Sequence, residues 1–291
     1  MKKIFFTVLT LILIGSFSFS QDTTSVSPDL VSKKGEPILP ETGDWAIQIN
    51  ALPLLNYAGN MLSSAGTNTT SVSFPSNYPM SIGGKYFNSE STAFRARVML
   101  GLNSTTVKNL VQKDNQLAPV DPNFTVEDSR KTNSNNIVFG GGIEKRKGKT
   151  SVQGLYGAEA LFMFGGGKTE YIYGNNFASD NLTPTSTTDF DVFTIEPVTE
   201  REIYNKDGAT FGIGVRGFIG AEYFFAPKMS LGFEYGWGLM QSSTGRGEKT
   251  TESWDSTENT LIKTNSKVAG QSSFGLNADI SGGAINLTFH F

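Results

Sequence analysis

The chain has 291 residues, a formal net charge of −3 and no cysteine. That excludes disulfides, thiolate metal sites, thiol catalysis and a lipidated N-terminal cysteine, and the mild acidity offers no basic patch of the kind nucleic acid requires. Glycine (32 residues) and aromatics (12%) are both abundant, a mixture odd in a soluble domain but suited to a sheet in which glycines let crowded strands pack and aromatics sit at membrane interfaces.

In chain order, Met1-Lys2-Lys3, the apolar run Ile4 to Gly15 and the small-residue stretch Ser16 to Ser20 predict a signal peptide over residues 1–20. The apolar run falls short of the ~20 residues that a spanning helix needs. Residues 21–43, with Pro28, Pro37 and Pro40 and no periodicity, read as a flexible periplasmic arm. From Asp44 onward the chain alternates between Gly-rich aromatic segments of period two and polar stretches.

Eight segments carry the period-two pattern. The first is about 45–52, with Trp45, Ile47 and Ile49 on one face, and the second about 80–88, with Ile82 and Tyr86 opposite Lys85. The third, about 92–103, is the clearest: Phe94, Ala96, Val98, Leu100 and Leu102 oppose Arg95, Arg97, Met99 and Gly101. The fourth is about 136–146, with Phe139 and Ile143 opposite Glu144, and the fifth runs from near 150 to about 173, with Tyr156 and Phe162 opposite Glu159. The sixth, about 209–225, sets Phe211, Ile213, Val215, Ile219 and Tyr223 against Arg216, Glu222 and glycines. The seventh, about 229–241, sets Leu231, Phe233, Tyr235, Trp237 and Leu239 against Glu234 and glycines. The eighth, about 271–291, slips parity at Ser281-Gly282-Gly283, which predicts a β-bulge. Links 2–3, 4–5 and 6–7 are turns of a few residues, whereas links 1–2, 3–4, 5–6 and 7–8 hold roughly 25 to 35 each.

Such alternation predicts an all-β fold: an eight-stranded antiparallel transmembrane β-barrel over residues 44–291, with short periplasmic turns and long extracellular loops. In a bilayer only helices and closed barrels satisfy every backbone polar group, and no segment beyond the signal peptide suits a membrane helix. The nearly continuous apolar face is expected to meet lipid. The sparse charges Lys85, Arg95, Arg97, Glu144, Glu159, Arg216, Glu222, Glu234 and Asp279 are expected inside, paired in a lumen network, because buried charge is tolerable only when paired. Glu159 and Arg216, on neighbouring strands, are expected to face each other.

The chain ends Ala-Ile-Asn-Leu-Thr-Phe-His-Phe, which places Ile285, Leu287, Phe289 and Phe291 on one face. A final amphipathic strand closing on phenylalanine resembles the signal read by the barrel-assembly machinery of bacterial outer membranes. Residues 38–60, 84–106, 144–162, 216–239 and 281–291 further resemble a family of outer-membrane barrel proteins from Bacteroidota, similar in plan to small eight-stranded outer-membrane proteins. The resemblance implies fold and an outer-membrane location, and no activity.

Other motifs carry less. Gly212 to Gly217 fits GxGxxG but lies inside a strand rather than at a strand-to-helix turn. Gly166-Gly167-Lys168-Thr169 lacks the earlier glycine of a phosphate loop. His290 is the only histidine and is expected at the periplasmic rim, without catalytic neighbours. The acidic third loop (Asp180, Asp189, Asp191, Glu196, Glu200, Glu202, Asp207) matches no calcium-loop spacing and reads as solvated charge. The apolar stretch with Leu54, Leu55, Tyr57, Met61 and Leu62 is expected to contact a partner. No cofactor, metal or catalytic residue is expected, and the expected partners are outer-membrane lipid, the assembly machinery and other envelope proteins. Two functions fit: a non-enzymatic barrel whose loops bind a ligand or an envelope partner, and a narrow porin-like channel.

Overall fold

A computed structural model describes residues 30–51, 80–278 and 284–291. Among these residues the fold is all-β and antiparallel throughout, with fourteen strands and no helix. They are β1 (Trp45–Asn50), β2 (Met80–Ser89), β3 (Thr92–Gln112), β4 (Thr125–Lys147), β5 (Val152–Ile172), β6 (Thr185–Asp189), β7 (Thr194–Pro197), β8 (Glu200–Lys206), β9 (Thr210–Ala226), β10 (Met229–Thr244), β11 (Gly247–Asp255), β12 (Thr260–Val268), β13 (Gln271–Ala278) and β14 (Ala284–His290).

The ladder of pairing has a simple order. β1 pairs with β2, β2 with β3, β3 with β4, and β4 with β5. β5 then pairs with β9, and β9 with β10. β10 pairs with β13 over its distal half and with β14 over its proximal half, and β14 pairs back with β1. At that last seam Trp45 and Phe291 exchange both backbone hydrogen bonds, at 2.8 and 2.9 Å. Three tight turns gather at one end: Glu90–Ser91, residues 148–151, and Pro227–Lys228, where Lys228 takes a left-handed φ of 55°. Residues 30–44 meet this end, where the Lys228 amide donates to the Ile38 carbonyl at 3.2 Å and the Lys228 ammonium pairs with Asp44.

Two faces result from the period of two. Along β9 and β10 every second residue is buried (Arg216, Phe218, Glu222, Phe224, Ser230, Glu234), and the residues between are large, apolar and open. Phe211, Ile213, Val215, Ile219, Tyr223, Phe233 and Trp237 are all about half exposed, and Phe94, Phe139, Tyr156 and Phe162 continue that surface onto β3, β4 and β5. Contiguous apolar surface of this kind is uncommon on a water-exposed monomer.

The third and fourth strands are longer than their alternation indicates. β3 and β4 pair without interruption from Thr92↔Lys145 to Gln112↔Thr125, so the connection shrinks to residues 113–124. The two later long links are also folded rather than irregular: residues 173–209 contain β6, β7 and β8, and residues 245–270 contain β11 and β12. The reason is that NSTTVKNLVQ and TVEDSRKTNSNN carry mostly polar residues on both faces. Backbone pairing continues there without the alternation that betrays a half-buried strand. Beyond the turn-distal end of the apolar face, β3–β4–β5–β8–β11–β12 thus forms one sheet, a surface head, with the β6–β7 hairpin beside it.

Candidate functional site

The buried face carries a charged layer between two apolar ones. At the turn end Ala46, Phe87 and Ala93 pack together, with Phe224 and His290 beside them. At the opposite side Met99, Val138 and Leu161 form a second cluster, with Met163 and Met240 against it. Between them lie five cations and four carboxylates, each under a tenth exposed: Lys85, Arg95, Arg97, Arg146 and Arg216 against Glu144, Glu159, Glu222 and Glu234.

Each carboxylate meets at least two cations. Arg95 is the hub, with its guanidinium 3.1 Å from Glu144, 2.7 Å from Glu159 and 2.8 Å from Glu234. Glu159 also meets Arg97 at 2.7 Å and Arg216 at 3.3 Å, and Arg216 reaches Glu234 at 2.6 Å. Lys85 lies 3.0 Å from Glu144 and 3.9 Å from Glu222, and Arg146 closes on Glu222. Aromatic faces cover some of the cations: Arg95 lies 4.3 Å over the Phe218 ring, and Arg146 lies over Phe87 and Phe224. Gly236 makes room for this crossing, because a Cβ there would stand 2.5 Å from the Arg216 guanidinium.

Eight of the nine charges that the sequence assigns to the interior are thus brought together. Glu159 and Arg216 are direct cross-strand partners. Asp279 lies outside the described residues, as do Leu54, Leu55, Tyr57, Met61 and Leu62, residues 1–29 and the bulge expected at 281–283. Sequence reasoning missed Arg146, although it follows Glu144 by two residues and therefore shares its face. It is the last residue of the fourth predicted segment, next to the turn that follows. In the last strand Ile285 and Leu287 are half-buried and Phe289 and Phe291 open, whereas Asn286, Thr288 and His290 are buried.

His290 sits 3.3 Å from the Ser230 hydroxyl and 3.7 Å from the Glu222 carboxylate, both at Nε2. Ser230 itself donates to Glu222 at 2.5 Å. A nucleophilic triad needs the carboxylate on the other imidazole nitrogen, with serine open to substrate. Here Nδ1 has no hydrogen-bond partner among the described residues, and Ser230 is fully buried.

The surface head is held together internally by buried polar groups. The carboxylate of Asp128, wholly buried, accepts from the amides of Gly174 at 2.9 Å and Thr187 at 2.7 Å. The Asn175 amide donates to the carbonyls of Gln112 and Thr185, and its side-chain oxygen accepts from the Asp114 amide. Arg201 donates to the Asn175 carbonyl, Ser186 and Glu252, with its guanidinium 4.2 Å over the Tyr173 ring. Burial raises the Tyr173 phenol above its ordinary pKa. Of the acidic third loop, Asp191 pairs with Arg130 at 2.6 Å and Glu202 with Lys249 at 2.6 Å. Hydrogen bonding from Arg130, then its charge, holds the Asp191 carboxyl below the usual range. Among the described residues no cluster of three His, Asp or Glu side chains is placed to hold a metal.

Where the head joins the lower sheet, the connections β8–β9, β10–β11 and β12–β13 stack backbone to backbone. The amide of Gly245 donates to the Ala209 carbonyl at 2.9 Å. Gly208 lies so close to Gly245 that a Cβ would meet its carbonyl oxygen at 2.1 Å. This waist encloses a half-open cavity of about 520 Å³, with Asn135, Asn136, Asn205, Asp207, Thr210 and Gln271 in its wall and Met163 beneath them. No protein-family model matches the chain, and no curated protein is significantly similar to it. The reading of function therefore rests on this geometry.

Proposed function

We propose that the chain is a bacterial outer-membrane protein: an eight-stranded transmembrane β-barrel, non-catalytic, whose folded surface head binds an external ligand or a partner in an envelope complex. The observation that carries this reading is the pairing order that runs from β1 through β10 and β14 back to β1, with large apolar side chains open on one face and mutually paired charges buried on the other. A water-soluble sheet would place them the other way round. β13 and β14 then count as two halves of the eighth strand, because both pair with β10. The three tight turns belong to the periplasmic side and the surface head to the outside.

A membership among the outer-membrane barrels of Bacteroidota, export by the N-terminal signal peptide, and insertion by the assembly machinery through Ile285, Leu287, Phe289 and Phe291 form part of the same proposal. Eight strands leave an interior wide enough only for side chains, and the charged layer with its two apolar layers fits an interior that is filled rather than conducting. The head supports binding as the role, because polar residues on a rigid scaffold are where recognition collects.

Refolding the full chain into phospholipid vesicles tests this. The expected product migrates differently before and after boiling, resists protease over its lower strands, and passes no steady current in a planar bilayer. A stable open pore of high conductance would overturn the binding role in favour of a channel, and a water-soluble monomer would overturn the whole reading. Co-purification from native membranes is expected to bring down an envelope partner or ligand held by the head.

A further inference from the structure

The lowest outward-facing rung of the surface head crosses five strands in one register: Asn133 on β4, Lys168 on β5, Lys206 on β8, Glu248 on β11 and Lys267 on β12. Lys168 and Lys206 are direct cross-strand partners. Like charges opposite each other destabilise a sheet pair, so this placement runs against stability. Glu170 relieves part of it by pairing with Lys168 at 3.0 Å. Lys206, Lys267 and the adjacent Lys131 make no ion pair among the described residues.

The height of the rung matters. On β5 the last outward aromatic is Phe164, which joins Phe139 and Phe211 in an edge-to-face ring array. Lys168 follows four residues later, ~13 Å along the strand, or about 10 Å along the normal of a barrel with tilted strands. Interfacial aromatics mark the edge of the hydrocarbon, and the headgroup layer extends several ångströms beyond it. Ammonium groups on flexible stems at that level reach headgroup phosphates.

We infer that Lys168, Lys206 and Lys267 form a docking surface for the phosphate-bearing headgroup of an outer-leaflet lipid. The inference rests on the membrane reading above, which fixes which face of the rung meets lipid. Glu248 stands between Lys206 and Lys267 in this register and offsets part of their charge, but it makes no ion pair with either among the described residues. A phosphate bridging Lys168 and Lys206 turns the unfavourable lysine pair into a two-pronged clamp.

The test uses the full chain, refolded into neutral phosphatidylcholine nanodiscs. Insertion is checked by heat-modifiable mobility. Retained lipid is read by native mass spectrometry as bis-phosphorylated lipid A, dephosphorylated lipid A or inorganic pyrophosphate is titrated in. Each cation near an anionic surface is worth roughly a fivefold change in affinity, so the K168Q/K206Q/K267Q variant is expected to retain bis-phosphorylated lipid A on the order of a hundredfold less well. A variant with the same loss of charge at the turn end, K145Q/K147Q/K149Q, is expected to match wild type. Equal retention of the dephosphorylated lipid, undiminished retention by the rung variant, or pyrophosphate binding as tightly as the lipid would each overturn the inference while leaving the barrel intact. A chain that does not insert overturns the membrane reading and this inference together.

Discussion

Glu159→Gln tests whether the interior is dry and ion-paired or merely wet. The Glu159 carboxylate is 1% exposed and holds three guanidinium groups: Arg95 and Arg97 at 2.7 Å and Arg216 at 3.3 Å. Neutralising it leaves Arg97 without a carboxylate contact among the described residues and crowds three like charges in a buried layer. Removing one partner from a buried pair costs about 3–5 kcal/mol, because the remaining charge is desolvated without compensation. The same change in a water-filled lumen would cost about 0–1 kcal/mol. Arg95 and Arg216 keep Glu234 as a partner, which places the expected loss near 3 kcal/mol rather than at the top of that range. The companion Arg97→Gln leaves Glu159 with two guanidinium groups and is expected to cost less, about 1–2 kcal/mol. In the double variant both ends of one contact are gone, and part of the single-variant loss is expected to return as a coupling of about 1–2 kcal/mol. Reversible urea unfolding from vesicles, followed by tryptophan fluorescence, measures all three. A loss under about 1 kcal/mol for Glu159→Gln, with no coupling to Arg97, would refute the filled interior.

Three further changes probe the other layers. Phe233→Arg puts a charge in the middle of the open apolar face, where Phe233 is 53% exposed. The expected cost is about 2–4 kcal/mol in vesicles, against about 0–1 for Leu102→Arg at the head end of that face, and equal small costs in the same urea titration would show that neither site meets lipid. Gly208→Ala drives a Cβ to 2.1 Å from the Gly245 carbonyl oxygen, an overpacking of about 1–3 kcal/mol that must be relieved by backbone movement. Tryptic cleavage at Lys206 and Arg246 is expected to accelerate while heat-modifiable mobility persists, and unchanged cleavage would mean the waist is slack. The Asp191 carboxyl, depressed by the Arg130 hydrogen bond and charge, links the β6–β7 hairpin to pH. A depressed folded-state value contributes stability that is complete above the ordinary carboxylate pKa and is lost as pH falls through the folded value. The protection factors of the amides at 189–194, taken relative to their intrinsic exchange rates, are expected to fall on acidification, and Asp191→Asn is expected to show low protection at every pH.

The interior was legible in the sequence and the head was not, for one physical reason. Along β9 and β10 each residue faces either an open apolar surface or a close-packed charged layer, so a one-residue slip would exchange Arg216 with Val215, and alternation is enforced at every position. The eight assigned charges could therefore be read from parity alone. Arg146 obeys the same parity, at the end of the fourth segment where the alternation runs into the turn. In the head, both faces of β3 and β4 carry Asn, Ser, Thr and Lys, so pairing leaves no periodic trace. Its order is imposed instead by groups whose partners are remote in sequence: Asp128 with Thr187, Asn175 with Gln112, Arg201 with Glu252. Such contacts depend on geometry that composition does not encode. The consequence reaches function, because the residues that a ligand or partner would meet lie where local pattern is weakest. The scaffold is specified residue by residue by its two environments. The head is specified only once that scaffold has brought β5, β8 and β11 side by side, so its recognition chemistry can change without disturbing the alternation beneath it.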